Sequence, residues 1–262
     1  YKTAKAKTPL KNGDNVQIWM PPPEPLIYLK PEKMDLKILF EDEHIIVINK
    51  QSGLIVHPAP GHKSGTLVNG LLFHCNDLPG INGKLRPGIV HRLDKDTSGC
   101  MVVAKSQEAL VNLQKQIKEK IASREYIAVI HGAPNSEEGQ IVGHIGRDRL
   151  NRLKYKVVEE TSGRYACTYW KLKERLGNYS LMSFKLDTGR THQIRVHCAH
   201  INHPIVGDPL YGRCKKLPCK LEGQALHAIK LGLIHPINGK EMIFEAELPL
   251  DFQKLLNVLK IK

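Results

Sequence analysis

Between Gly88 and Lys105 the chain reads GIVHRLDKDTSGCMVVAK. One His, one Arg, two Asp and two Lys are crowded between two apolar runs, 88–90 and 100–104. Apolar runs of this kind are strand material. A chain that sets them on either side of a charged segment must anchor the ends in a sheet and expose the charges in a loop. That arrangement suits a reaction centre, and it also suits a solvated surface turn.

The rest of the chain extends the strand pattern. Runs 37–40 and 45–49 flank Glu41-Asp42-Glu43 as a hairpin, and REYIAVIH at 124–131 alternates so that Tyr126, Ala128 and Ile130 share a face. Segments 166–174 and 179–186 pair across Gly177-Asn178, and 226–234 with 241–248 pair across Asn238-Gly239, a two-residue turn signal. Helices are fewer. Thr66 caps one running to Cys75, and Ser106 caps another with Leu110, Leu113, Ile117 and Ile121 at helical spacing. Thr191 is expected to cap a third to about Ile201. Asp251 would cap a last one with Phe252, Leu255, Leu256 and Leu259 inward. Regular βαβ alternation is absent, so the expected class is α+β on a large mixed, mostly antiparallel sheet with flanking helices.

The N-terminal part is set off by Pro21-Pro22-Pro23-Glu24-Pro25, which can continue neither strand nor helix. Residues 1–20 are read as the end of a small domain, 21–34 as a proline-rich linker and 35–262 as the main domain. The chain opens on Tyr1 rather than Met, so it is expected to continue a longer protein.

Lys plus Arg is 39 against 26 for Asp plus Glu, a net charge of +13, which favours a polyanionic partner. The densest basic patch is 146–156, GRDRLNRLKYK, with three Arg and two Lys against one Asp. No apolar run approaches the roughly 18 residues of a membrane span. The six Cys are scattered without a CxxC pair, as in a reduced cytoplasmic protein.

Motifs narrow the chemistry further. GxSxG, the P-loop and the dinucleotide fingerprint are all missing. His192, His197, His200 and His203 invite a zinc reading. On a helix, however, His192 and His197 lie roughly 140° apart, and HExxH is absent. A metal-free, cofactor-independent reaction carried by carboxylates among cations is the simplest reading. Either Asp94 or Asp96 qualifies, since neighbouring cations favour an ionised carboxylate.

His91-Arg92-Leu93-Asp94-Lys95-Asp96-Thr97-Ser98-Gly99 resembles the signature of the RluA/RluD-type ribosomal large-subunit RNA pseudouridine synthases. Ser52–Pro58, Arg124-Glu125-Tyr126-Ile127-Ala128 and Thr188–His197 resemble three further motifs of that family, in the family's order, with 203–212 continuing the last. The resemblance covers about residues 35 to 250. It implies the pseudouridine synthase fold with a central RNA-binding cleft, and isomerisation of uridine to pseudouridine without metal or cofactor. It selects Asp94 over Asp96 as the essential carboxylate, pairs it with Arg195, and makes Tyr126 the residue stacking on the base. Arg92 would enter the RNA stack when the target nucleotide flips out. Arg190 and Lys50 are candidate phosphate contacts. The partner implied is ribosomal RNA, with transfer RNA as the alternative, and the protein is expected to be a cytoplasmic monomer. The rival classes are a catalytically idle RNA-binding or ribosome-assembly factor and a zinc-dependent nucleic-acid enzyme. Segment LKNGDNVQI resembles the tail of the small RNA-binding domain that precedes many such catalytic domains. The chain departs from the family at Gln51, where Pro is common, and at Cys100, where an aliphatic residue is usual.

Overall fold

The computed structural model describes residues 9, 11–16, 29–58, 61–75, 78, 87–212, 217 and 219–261. Most of 1–20 and of the expected linker at 21–34 therefore lies outside the described residues. Residues 30 and 32 dock on the first helix. Asn69 Nδ2 donates to Lys30 O at 2.8 Å, and Glu32 N–H donates to Asn69 O at 2.9 Å.

Among the described residues, ten strands form one sheet. β1 (Ile38–Glu41) and β2 (Ile45–Lys50) make the first hairpin, and β3 (Ser98–Ala104) pairs antiparallel with β2. β4 (Ser123–His131), β5 (Glu138–Arg147), β6 (Tyr155–Val158), β7 (Arg164–Leu176) and β8 (Tyr179–Leu186) follow, then β9 (Leu226–Ile234) and β10 (Glu241–Glu245). The order is β1-β2-β3-β9-β4-β8-β7-β5-β6, with β10 also paired to β9. Pairing is antiparallel except between β3 and β9. The parallel seam is tight, because Gly99 (φ 117°) lies against the backbone of Ala228, where a side chain would clash. His227 locks it. Its Nε2–H donates to Ala246 O at 3.1 Å and its Nδ1 accepts from Ser98 Oγ at 2.8 Å. Burial holds that imidazole down to about 4, hence neutral.

Alternation sorts the central strands between two cores. Ile46, Ile48, Met101 and Val103 join one core with Leu67 and Leu71 of α1 (Leu67–His74) and Phe252, Leu255 and Leu259 of α4 (Leu250–Lys260). Ile45, Val47, Cys100 and Val102 join the other, beneath Leu110 and Leu113 of α2 (Gln107–Lys118). The Cys100 thiol, pushed up to about 12 by burial, acts as a small apolar filler where an aliphatic residue was expected.

The caps at Thr66 and Ser106 form as expected, the latter through Ser106 Oγ accepting from Ala109 N–H at 3.2 Å. Several local readings are corrected. Residues 88–90 make a single bridge, Ile89 to Val103, rather than a strand. α2 ends at Lys118, so Ile121 falls beyond it and is exposed. The β9–β10 connection spans 235–240 rather than two residues, because His235 gathers it. Gly239 N–H donates to His235 O, and Nδ1 of His235 accepts from Asn238 N–H. Pro249, not Asp251, precedes α4, while Asp251 Oδ2 accepts from Glu222 N–H at 3.1 Å.

Candidate active site

The segment between Gly88 and β3 is shaped from below. Lys50, at the end of β2, is 1 % exposed, and its three ammonium protons go to the carbonyls of Gln51, Leu54 and Lys95, each at 2.8 Å. Burial pulls its pKa down to about 7, opposed by Asp96 and Asp94. A side chain so occupied cannot reach a phosphate, so the expected contact at Lys50 is corrected to a brace under the loop. Ser52 Oγ adds a bond to Asp96 O at 3.1 Å, and Thr97 N–H closes a turn onto Asp94 O. His91 pins the near end by accepting Val102 N–H at 3.2 Å, its ring held down to about 3 by burial. The braced loop sends its two carboxylates different ways. Asp96 packs against Gly223, while Asp94 faces a cleft of about 490 Å³.

The opposite wall is α3 (Gln193–His200) and the loop before it. Thr191 does not cap this helix. His192 takes the cap position in the left-handed region (φ 58°, ψ 21°), and Gln193 supplies the anchoring. Gln193 Oε1 accepts from Arg190 N–H at 2.9 Å and Thr188 Oγ1 at 2.7 Å. Its Nε2 donates to Cys167 O and Thr168 Oγ1, both at 2.9 Å. The helix start is thus tied to β7, and the next turn carries Arg195 into the cleft.

Arg195 Nη1 donates to Asp94 Oδ2 at 3.0 Å. Nε and Nη2 donate to Asp208 Oδ2 and Oδ1 at 2.8 and 2.9 Å, a bidentate pair. Asp208 Oδ1 also accepts the backbone N–H groups of Leu210 and Tyr211. The Tyr211 ring lies 5.2 Å beneath the guanidinium. Burial opposes the charge on Arg195, but its hydrogen bonds and the two carboxylates outweigh that and raise its pKa. The same bonds hold Asp208 below the usual carboxylate range against its own burial. Asp94 is the exposed end of this chain of charges. Its side chain is 18 % exposed against 0 % for Asp208, and it lines the cleft.

The cleft also holds Tyr126, Arg92, Arg124 and Arg190. Tyr126 on β4 is buried with its phenol raised by that burial, hence protonated. Arg92 is exposed at the rim, with Nη1 3.3 Å from His57 Nε2. Arg190 Nε donates to Tyr165 O at 2.8 Å. Arg124, two residues before Tyr126, lies under Gly189, where a Cβ would come within 3.1 Å of its guanidinium. Its buried Nε has no hydrogen-bond partner among the described residues. The structure thus brings Asp94, Tyr126, Arg195, Arg92 and Arg190 together and removes Lys50. Sequence reasoning missed Arg124, His192, Asp208 and Tyr211. Strand period two places Arg124 beside Tyr126, and Asp208-Pro209 is a turn signal. Those were the available clues.

The histidines that invited zinc face separate partners. His197 Nδ1 meets Thr168 Oγ1 and His203 Nδ1 meets His131 O. Among the described residues, no group of three or more His, Cys, Asp or Glu could hold a metal, and no helix is long and apolar enough to cross a membrane.

The RNA pseudouridylate synthase family matches residues 44–200, more than half the chain and both walls of this cleft. The chain belongs to that family. It is an RNA pseudouridine synthase of the RluA/RluD type, and the substrate class is RNA. It is 50% identical to an uncharacterized RNA pseudouridine synthase of Synechocystis over 252 residues, covering 96% of this chain and 77% of the relative. It is 45% identical to the ribosomal large subunit pseudouridine synthase D of Zymomonas mobilis, covering 96% and 81%. Among solved structures it is similar to human RNA pseudouridylate synthase domain containing 4, with a TM-score of 0.67 and 25% identity over 86% of this chain and 93% of the other. The expected α+β pseudouridine synthase fold is the fold observed.

Proposed function

We propose that this synthase isomerises uridines of large-subunit ribosomal RNA, with Asp94 as the carboxylate that engages the ribose. The observation carrying this reading is the asymmetry of Asp94, with Oδ2 tied to Arg195 and the carboxylate partly open to the cleft. The C1′–N1 bond breaks, the uracil turns, and C5 bonds to C1′. C5 then loses its proton and N1 gains one, so the balance needs no outside reagent. Asp94 either attacks C1′ or takes the C2′ proton, and both routes need an ionised, fixed carboxylate.

A stacked, paired uridine hides C1′ from any side chain, so the target nucleotide flips into the cleft. Tyr126 then stacks on the base, and Arg92 fills the vacated place in the RNA. The +13 charge draws in the phosphate backbone, with Arg190 at the cleft edge as one contact. Ribosomal RNA is favoured over transfer RNA because several relatives, at 42–45% identity, are named ribosomal large subunit pseudouridine synthase D. The decisive experiment is tritium release from ribosomal and transfer RNA carrying 5-tritiated uridine. Release from large-subunit RNA with retained binding is expected. Binding without release from any RNA would leave the idle RNA-binding factor as the reading.

A further inference from the structure

We propose that His192 is a positioning residue of the isomerisation, presenting a neutral Nε2–H to Oδ1 of Asp94, the oxygen that Arg195 leaves free. The inference rests on the proposed role of Asp94 and adds the device that aims it.

The tautomer follows from a chain of hydrogen bonds. Tyr155 N–H donates to Tyr211 Oη at 2.8 Å. The hydroxyl proton of Tyr211 then needs an acceptor, and Nδ1 of His192 lies 2.9 Å away. With Nδ1 accepting, the ring proton sits on Nε2, which faces Asp94 Oδ1 at 4.0 Å. That gap is longer than a hydrogen bond, and the proposal requires the carboxylate to turn toward the ring to close it. Catalytic hydrogen bonds in an empty site are commonly long and tighten when substrate enters.

The ring is held for this task. Tyr155 and Tyr211 pack on it edge-to-face, at 5.6 Å and 79° and at 5.7 Å and 78°. The backbone of His192 is left-handed at φ 58°, a conformation few non-glycine residues adopt and one that gathers at functional sites. The charged groups facing the ring are Asp94, Arg195, Asp208 and Arg92. Burial leads in pulling the imidazole below its ordinary value, with the two arginines helping and the two carboxylates opposing. A neutral donor fixes the free oxygen without adding a second cation that would blunt it.

Two measurements test this. Ring-nitrogen NMR on the intact, RNA-free protein should show His192 protonated at Nε2 and bare at Nδ1, with the two forms mixing in Tyr211→Phe, which keeps the ring under Arg195. A proton on Nδ1 in the unsubstituted protein overturns the proposal. In tritium-release kinetics, His192→Phe should lose about tenfold or more in kcat while KM for RNA stays within about twofold. The acid limb of its pH–rate profile should move to higher pH, and His192→Gln, which restores an N–H near the Nε2 position, should recover part of the loss. An unchanged kcat and acid limb in His192→Phe, or a Gln variant no better than Phe, would overturn the inference. If His192→Phe does not fold, Tyr211→Phe carries the kinetic test: kcat should fall in proportion to the fraction of rings whose proton moves to Nδ1, with KM for RNA within about twofold, and an unchanged kcat alongside mixed ring forms would overturn the inference. Absence of release by the unsubstituted protein would instead defeat the proposed function, while the ring nitrogens still decide the His192 geometry.

Discussion

Arg195 and Asp94 stand 101 residues apart in the chain and 3.0 Å apart in space, with Arg195 gripped from behind by Asp208. The order matters physically. The fully buried carboxylate fixes the guanidinium, and the guanidinium fixes the partly exposed carboxylate, so the carboxylate proposed to react is positioned without itself being buried.

Asp94→Asn should abolish tritium release and leave RNA affinity nearly unchanged, since the carboxylate lines the cleft and its proposed contact is the ribose rather than a phosphate. Asp96→Asn should keep most of the activity, because that side chain packs against Gly223 instead of lining the cleft. Single-turnover assays with parallel filter binding check both, and the reverse pattern would refute the choice of Asp94.

Asp208→Asn removes the bidentate grip behind Arg195 and leaves Asp94 as the carboxylate that answers its charge. Because that partner remains, the loss should stay below the about 3–5 kcal/mol of a buried charge left alone, read as a fall in thermal midpoint, and turnover should fall with it. The pH sign is set by the lowered pKa of Asp208. Its stabilisation is fully present above the unfolded value, about 3.9, and is lost as pH falls through the lower folded value. The Asn variant should therefore gain relative to the unsubstituted protein on acidification below about pH 4.

Lys50 and Arg190 separate by salt. Replacing a phosphate contact reduces the slope of log affinity against log salt by about 0.7–0.9. Arg190→Ala should show that reduction. Lys50→Met should leave the slope intact but lower the thermal midpoint and turnover, because the carbonyls of Gln51, Leu54 and Lys95 lose their common donor.

His227 predicts an acid-sensitive seam. Its folded pKa, about 4, lies below the unfolded value of about 6.5, so the unfolded chain binds the extra proton between them. Stability should be complete above about pH 6.5 and decline toward pH 4, with a slope of up to about 1.4 kcal/mol per unit from this group. Denaturation midpoints across that range check it, and His227→Gln should flatten the slope.

What was readable in advance was local. The Ser106 cap, the β7–β8 hairpin and the buried run of β2 each depend on residues within a few positions of one another. Errors came where a distant element decides. Thr191 looks like a cap, yet Gln193 hydrogen-bonds to β7 and forces the cap onto His192. Lys50 looks like a surface cation, yet three carbonyls, one of them 45 residues away, surround its ammonium. At Asp94 and Asp96 the local pattern offers two equal carboxylates, and the direction of the braced loop distinguishes them.

The sequence by itself determined the family and the sheet-rich class and narrowed the candidate carboxylate to Asp94 or Asp96, with the motif favouring Asp94, because periodicity, caps and motif spacing are properties of neighbours in the chain. Only the tertiary structure decided that Arg195 is held by Asp208, that His192 turns its ring toward Asp94, and that Lys50 is a buried brace. Those roles depend on which groups meet after folding and on how much water is removed between them. Burial and long-range contact leave no trace in local spacing.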